Sequence, residues 1–447
     1  MNVKKFPGPD RTFFGANASK DFYFNILEYL YDLQSKYGEA VHFNAMKHSM
    51  YLISDVDLVE QILVKNPNKF LKGTSVQRLK LIIGTGLISS EGEIHDTHRM
   101  MMASDFKKNN VVKYFGFVKD SVEKMISIWQ ENIKNGKDKI EIHSESGDLY
   151  VDVIMRSVFS EDLTDEITDT GKTLNRLFYN ASPLLLVAPS LSLKLPIPES
   201  IRFKNTKSKF DKLIKQKISE RKKSGLRKKD LLDTLMYSKS KSGYMMSEDA
   251  MFNEVITFFL AAADTTSKTL SWVIYLLSKD KNLFEKVVEE LKTISPEVDY
   301  EEFDKLLYTK CLIAEALRLY PPVWAISRSP VENIILNNLE FKKDSTILIF
   351  PYFIHRMEKY FKNANDCIPE RWQNKDSYKI PKYAYLPFGA GPRVCLGDNF
   401  AWMELFTALV YIFRNFNLNL ITKNDPGLSS TITLKPKRDI ILEISNK

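Results

Sequence analysis

A glycine-rich stretch near the end of the chain combines residue types that could bind a metal-containing group. It reads Phe388-Gly-Ala-Gly-Pro-Arg-Val-Cys-Leu-Gly397, so that Cys395 follows Arg393 by two residues and precedes an apolar segment with helical character. A thiolate at the start of a helix is stabilised by the positive end of the helix dipole. An anionic sulfur of this kind is the ligand that an iron porphyrin takes when it activates oxygen.

The glycines and the arginine of this stretch have separate predicted roles. Gly389 and Gly391 permit a tight turn, and Gly397 leaves room for a flat macrocycle against the backbone. Arg393 lies on the same loop, where its guanidinium can meet a carboxylate of the bound group. The alternative interpretation is a structural cysteine that is buried beside a turn.

A second polar group interrupts a long apolar segment. Residues 247–279 predict one buried helix, capped by Ser247 and roughly 50 Å long at about 1.5 Å per residue. Asp264 and Thr265 lie in its middle, directly after three alanines. A buried ionisable side chain is costly unless it has a task, and a threonine that bonds the carbonyl one turn back can open a notch. Taken alone, however, this dipeptide is more often a capping element.

Together these motifs resemble the cytochrome P-450 family. The loop satisfies every fixed position of the pattern F-x-x-G-x-R-x-C-x-G, with Phe388, Gly391, Arg393, Cys395 and Gly397. Three further segments recur in the family's order: His95-x-x-x-Arg99, the helix with Asp264-Thr265, and Glu315-x-x-Arg318 followed by Pro369-Glu370-Arg371. The resemblance therefore covers most of the chain.

The resemblance implies a fold and a cofactor. We expect a mainly α fold with small β-sheets (α+β), formed by a single domain of residues 1–447 in which residues 1–70 include the smaller β-rich portion. Haem b (iron protoporphyrin IX) would lie between the long central helix and the helix after the cysteine loop. Cys395 would be the iron ligand.

The resemblance also implies roles for single residues. Thr265 would hydrogen-bond the bound dioxygen, and Asp264 would relay protons from solvent, which favours O–O cleavage over peroxide release. The haem carboxylates would be bound by His95, Arg99, Arg328 and Arg393. The family commonly has glycine where Ala262 stands and tryptophan where His95 stands, with histidine a known alternative at the latter position.

Several expectations concern supporting residues. Glu315, Arg318 and Arg371 would form a buried ionic network that holds the cysteine loop and takes no part in the reaction. His98 is predicted to face solvent. Cys311 is expected to pack within an apolar helix.

The implied activity is a haem-thiolate monooxygenase reaction, in which RH + O2 + two electrons + two protons give ROH + water. Apolar residues at 79–87 and 323–326, with Phe258 and Ala261, favour a lipophilic substrate such as a fatty acid, a terpenoid or a sterol. Electrons would come from separate proteins, such as a ferredoxin and its reductase. The alternatives are a peroxide-driven peroxygenase or hydroperoxide isomerase, which commonly lacks the acid–alcohol pair, and a non-catalytic haem sensor or carrier, which does not need it.

Composition and charge bear on the compartment, the oligomeric state and the partners of the protein. The 447 residues are 44% hydrophobic and 12% aromatic, and 64 basic against 56 acidic residues give a net charge of +8. Three cysteines and no signal peptide or membrane anchor predict a cytoplasmic monomer, with no nucleic-acid partner. The basic runs 204–217 and 221–229 are interpreted as solvated helix faces; docking of an acidic electron donor or contact with an anionic membrane is the alternative. The segment 183–198 is either a lid that touches membrane or a buried loop.

Local patterns predict further elements. Helices are expected at 25–37, from 55 to about 65, and after residue 229. Strands are expected at 41–43, 51–53, 334–339, 346–350, 431–434 and 440–444.

Overall fold

The structure is a computed structural model that describes residues 4–10, 22, 25–45, 48–160, 163–179, 192, 194, 197–373 and 379–447. Most of the segment 183–198 lies outside the described residues. The helices are α1 (Ile26–Tyr37), α2 (Val56–Glu60), α3 (Thr74–Ile83), α4 (Gly92–Met102), α5 (Lys108–Val111), α6 (Phe115–Lys134), α7 (Ile142–Phe159), α8 (Asp165–Tyr179), α9 (Pro198–Ser224), α10 (Leu231–Tyr237), α11 (Glu248–Lys279), α12 (Lys281–Leu291), α13 (Leu307–Leu319), α14 (Pro351–Ile354), α15 (Glu370–Gln373) and α16 (Asp398–Asn415).

The strands are short and form small sheets. They are β1 (Ala40–Ala45), β2 (His48–Ile53), β3 (Phe70–Lys72), β4 (Lys139–Glu141), β5 (Ile326–Pro330), β6 (Ile334–Leu336), β7 (Leu339–Phe341), β8 (Thr346–Ile349), β9 (Phe416–Leu420), β10 (Leu428–Ser430), β11 (Leu434–Pro436) and β12 (Ile441–Asn446). The predicted fold class, mainly α with small β-sheets, is confirmed.

The chain divides into two compact units. The first contains residues 1–79, 314–395 and 428–435, and it is built on a five-stranded sheet of order β1-β2-β8-β5-β3. β2 and β8 are parallel, and the other neighbouring strands are antiparallel. Since β5 and β8 come from residues 326–349, the β-rich part of the chain extends well beyond residue 70. The cores on the sheet include Phe43 and Ile349, both fully buried.

The second unit contains residues 80–313, 396–427 and 436–447 and is mostly helical. Its central element is α11, which packs on α7 and also contacts α9 and α16. The helix begins as predicted, because the Ser247 hydroxyl accepts a hydrogen bond from the Ala250 amide at 3.2 Å. Phe258, Phe259, Trp272 and Tyr275 are buried, and the Phe259 ring lies 4.8 Å from that of Phe210 on α9.

Two of the predicted strands contain a turn in the structure. The run 334–339 forms the hairpin of β6 and β7, because Asn337 and Asn338 both adopt positive φ, 48° and 63°, in the two-residue turn. The predicted strand 431–434 is mostly the turn between β10 and β11. In both cases an apolar run conceals a turn.

The basic run at 221–229 is only partly a solvated face. Arg221 is buried, and its guanidinium donates to Asp230 at 2.9 Å and to Asp233 at 3.2 Å. The interpretation was wrong for this residue, because the chain turns back after α9 and brings the start of α10 against it.

Candidate functional site

The predicted site residues are divided between the two units. The first unit holds Phe388, Gly391, Arg393, Cys395 and Arg328; the second holds His95, Arg99, Asp264, Thr265 and Gly397. Each group is described within its own unit.

The cysteine loop is a closed turn in which glycine conformation is required. The Cys395 amide donates to the Phe388 carbonyl at 2.8 Å, which closes the loop, and Gly389 and Gly391 adopt φ of 75° and 74°. A Cβ atom on Gly391 would lie 2.0 Å from the backbone oxygen of Leu63, so only glycine fits this close approach. The predicted tight turn is confirmed.

The opposite side of the loop is open. Cys395 is exposed, and a Cβ atom on Gly397 would meet no atom within 4 Å. Gly397 is also the N-cap of α16, which begins three residues after the cysteine. A loop that is packed at Gly391 and open at its sulfur has the shape that a flat macrocycle needs when it binds through that sulfur.

The two predicted arginines of the first unit lie at adjacent strands. The Arg393 guanidinium donates to the Phe70 carbonyl on β3 at 3.0 Å. Arg328 lies on β5, is 9% exposed, and donates to the carbonyl of Ser327 at 2.9 Å. β3 pairs with β5 in a register that places Lys72 opposite Arg328. Backbone carbonyls of β3 and β5 therefore accept hydrogen bonds from Arg393 and Arg328, respectively.

The predicted ionic network is present and fully buried. Glu315, Arg318 and Arg371 are each 0% exposed. The Glu315 carboxylate accepts from Arg318 at 2.7 and 2.8 Å and from the Arg371 Nε at 2.9 Å. The Trp372 indole and the Ile368 amide donate to it as well, each at 2.9 Å. Buried charges are tolerated only with this degree of hydrogen bonding.

His355, which was not among the predicted site residues, connects this network to the cysteine loop. Its Nδ1 lies 3.2 Å from the Arg318 carbonyl, which can only accept, so Nδ1 carries the proton. Its Nε2 then accepts from the Leu386 amide at 2.9 Å, two residues before the loop begins. Burial, assisted by the charge of Arg318, lowers the pKa of His355 to about 3, in agreement with a neutral ring.

In the second unit, the acid–hydroxyl pair occupies a partly accessible stretch of a buried helix. Residues 254–259 and 266–277 of α11 are buried, whereas Ala261, Asp264 and Thr265 are half-buried. The Thr265 hydroxyl donates to the Ala261 carbonyl one turn back, at 2.7 Å. This is the hydrogen bond that the sequence predicts. Because its proton is used there, the hydroxyl oxygen can accept from a proton donor.

Lys268 is a buried cation that the sequence analysis overlooked. It is 1% exposed, and its ammonium lies 2.5 Å from a carboxylate oxygen of Asp264. Burial lowers the pKa of Lys268, and the charge of Asp264 opposes that shift. The spacing of four residues on a predicted buried helix was the available signal.

Thr266, next to Thr265, links α11 to α16. Its hydroxyl donates to a carboxyl oxygen of Glu404 at 2.9 Å, and Glu404 is 1% exposed. Burial raises the pKa of Glu404 well above its ordinary value, with the Thr266 hydrogen bond opposing the shift. Burial therefore favours the protonated, neutral form of this carboxyl.

His95 and Arg99 lie one turn apart on α4, as predicted, with His95 buried and Arg99 half-buried. The prediction for His98 was wrong. It is 4% exposed, and its Nδ1 lies 2.8 Å from the buried carboxylate of Glu254 on α11. The reason is that Glu254, 0% exposed, needs partners: it takes His98 and the Leu87 amide, at 2.9 Å.

A pocket of about 350 Å³ opens in the second unit beside α9. Leu81 and Ile82, which belong to the predicted substrate segment 79–87, line it together with Phe203 and Phe252. Its remaining lining residues are polar: Lys204, Lys207, Ser208, Asp211, Lys212 and Lys215.

Comparison with known proteins decides the family. A family model described as Cytochrome P450 matches residues 7–442. The chain belongs to the cytochrome P450 family. P450s bind haem through a cysteine thiolate and are oxidoreductases, so the predicted cofactor and enzyme class are confirmed.

Its relatives include bacterial and plant P450s. Cyclooctat-9-en-7-ol 5-monooxygenase of Streptomyces melanosporofaciens is 28% identical, over 86% of this chain and 83% of that protein. Pentalenene oxygenase of Streptomyces avermitilis is 24% identical, over 86% and 85%. Cytochrome P450 709B1 of Arabidopsis thaliana is 29% identical, over 94% and 84%. Within the described part of this P450, no helix has the length and apolarity needed to cross a membrane.

Proposed function

We propose that this P450 inserts one oxygen atom from O2 into a lipophilic terpenoid, with electrons supplied by separate redox proteins. Two of the relatives above are named for cyclooctat-9-en-7-ol and for pentalenene, and both act on terpenoids. The apolar residues of the predicted substrate segment 79–87 favour a substrate of this class.

The residues that would hold the haem are those of the cysteine loop and the predicted cations. Cys395 would ligate the iron, since its thiol is exposed on a loop whose open side accepts a flat group. Arg328 and Arg393 in the first unit, and His95 and Arg99 in the second, would bind the propionates. The bound haem supplies the reductive activation of dioxygen.

The observation that carries the proposal is the half-buried Asp264-Thr265 pair on an otherwise buried helix. An accessible acid beside a hydroxyl whose oxygen can accept a hydrogen bond is suited to pass protons inward. Such a device serves a monooxygenase, which must deliver two protons for each oxygen atom inserted. A peroxygenase or a haem carrier has no use for it.

Carbon monoxide binding to the reduced protein tests the ligand. A red-shifted Soret band, typical of thiolate ligation, is expected for the wild type and for Cys367→Ser, and its loss is expected for Cys395→Ser. Cys367 is a suitable control because it lies half-buried in a loop outside the site. A thiolate band that persists in Cys395→Ser would refute the ligand assignment.

Substrate class is tested by a spin-shift screen of terpenoid, fatty-acid and sterol libraries against purified protein. The strongest terpenoid is then turned over with a ferredoxin, its reductase and labelled 18O2. Incorporation of one labelled oxygen atom is expected. Binding of fatty acids alone, or a product without label because its oxygen comes from water, would contradict the proposal.

A further inference from the structure

A buried cation, Lys268, contacts the acid of the Asp264-Thr265 pair within α11. Lys268 lies one helical turn after Asp264, and 2% of its side chain is exposed against 20% for the Asp264 side chain. Long side chains on a helix point back toward its N-terminus, so the lysine naturally reaches the carboxylate four residues earlier. The pair thus has one accessible end, the acid, and one interior end, the ammonium.

An ammonium group in the interior costs several kcal/mol unless it is paired. α11 is buried around this point, and the hydroxyl groups of Ser267, Thr269 and Ser271 donate to carbonyls of the helix itself. If the helix had only to pack against its neighbours, an uncharged residue at position 268 would cost less free energy to bury. The contact with Asp264, 2.5 Å between nitrogen and oxygen, is the interaction that compensates the buried charge.

We propose that Lys268 is the positioning residue of the proton relay: its ammonium holds one carboxylate oxygen of Asp264 and so fixes the acid beside Thr265. This inference rests on the proposed function. In each relay step Asp264 would accept one proton from a hydronium ion of the solvent and give one proton up toward the Thr265 hydroxyl, which restores the carboxylate and leaves Lys268 unchanged. Burial lowers the pKa of Lys268, whereas the Asp264 carboxylate opposes that shift and so favours the charged ammonium.

The positions of Asp264 and Thr265 support this role. The hydroxyl is fixed by its hydrogen bond to the Ala261 carbonyl, and the carboxylate is fixed by Lys268. Two adjacent side chains are therefore each held by a partner one turn away, in opposite directions along the helix. Without Lys268 the carboxylate would keep its accessibility but lose its contact with the ammonium.

The test compares Lys268→Met, Thr265→Ala, Asp264→Asn and the double variant Asp264→Asn/Lys268→Met. Lys281→Met is the control, because Lys281 pairs with Glu285 at the same spacing but is exposed. Electrons are supplied by a surrogate ferredoxin and its reductase without added substrate. NADPH, dioxygen and peroxide are measured per haem, which gives the rate of four-electron reduction of O2 to water.

We expect Lys268→Met to lower the rate of water formation by about tenfold, with peroxide released instead and with a larger solvent isotope effect. The double variant should be no worse than Asp264→Asn, since the lysine acts through the acid. If Thr265→Ala reduces water formation while Lys268→Met leaves both the rate and the isotope effect unchanged, this inference is refuted and the proposed function stands. If Thr265→Ala has no effect either, the proton relay itself is refuted.

Unfolding by urea provides a readout that is independent of turnover. Asp264→Asn leaves a buried ammonium without its carboxylate, so we expect the double variant to be more stable than Asp264→Asn alone. Strictly additive effects of the two substitutions would show that the two side chains do not interact, and would overturn the proposal. Because the double variant removes both charges, it remains interpretable even where a single variant folds poorly.

Discussion

Replacement of Glu315 by glutamine should destabilise the first unit strongly. The carboxylate accepts five hydrogen bonds, all between 2.7 and 2.9 Å, from Arg318, Arg371, Trp372 and the Ile368 amide. Glutamine has the same size, but it is uncharged and turns an NH2 donor toward other donors. Two fully buried guanidinium groups would then lack their counter-charge.

The magnitude follows from what removal of one partner of a buried ion pair costs, about 3–5 kcal/mol. For a cooperative unit of 150–250 residues, each kcal/mol lowers Tm by about 2–4 °C. Glu315→Gln should therefore lower Tm by roughly 6–20 °C. It should also lower the haem content, because His355 connects the network to the residues just before the cysteine loop.

Calorimetry and circular dichroism on wild type and variants provide the assay. Glu332→Gln is the matched control, since Glu332 is 59% exposed and pairs with Lys69 at 3.3 Å on the surface of the same unit. Such exposed pairs contribute about 0–1 kcal/mol. If Glu315→Gln melted within a degree or two of the Glu332→Gln control, the argument that the buried network supports the loop would be refuted.

Three further predictions concern substitutions of single residues. The Tm difference between wild type and His355→Phe should shrink as pH falls from 7 to 5. The pKa of His355 is lowered to about 3 in the folded protein, so the stability that its neutral ring contributes is present above the ordinary histidine pKa of 6.5 and is lost below it. A Tm difference that stays constant with pH would contradict the neutral ring. Glu404→Gln should gain stability relative to wild type as pH rises from 5 to 8. Because the pKa of Glu404 is raised, the folded protein keeps a proton on this carboxyl that the unfolded chain releases above about pH 4.5, so folding of the wild type becomes less favourable as pH rises. Equal stability profiles for the two proteins would argue against a raised pKa. Gly391→Ala should cost more than the about 1–2 kcal/mol expected for Gly225→Ala, which has a similar positive φ of 65° but no atom near its Cβ; differential scanning calorimetry and haem content measure both, and equal costs would show that the contact with Leu63 is unimportant.

The parts of the structure that the sequence predicted correctly depend on local patterns. The N-cap serine and the many apolar residues after it predict the helix at 248–279. The glycines at the two positions where φ is positive predict the turn of the cysteine loop. The hairpin of β6 and β7 was read as one strand, because asparagines supplied the positive φ where glycine would have been an obvious break. The apolar residues 334–336 that precede the asparagines gave no sign of the turn.

The partners of buried polar side chains were mostly beyond prediction. His98 bonds Glu254, 156 positions away, and Glu404 bonds Thr266, 138 positions away. No periodicity within one element can reveal such pairs, because the tertiary fold alone decides which helices meet. His355 likewise needed the strand order of the first unit to place it between Arg318 and Leu386.

Lys268 differs from these cases, because its partner lies on the same helix. Once α11 is predicted to be buried, every ionisable side chain in its interior must be paired, since an unpaired buried charge is too costly. That rule applies to Glu254, Asp264 and Lys268, and in the structure each has a partner: His98 for Glu254, and the last two for each other. The spacing of four residues would have identified the second pair from sequence alone. The acid assigned to proton delivery should therefore be treated as half of an ion pair, and its chemistry as dependent on the lysine behind it.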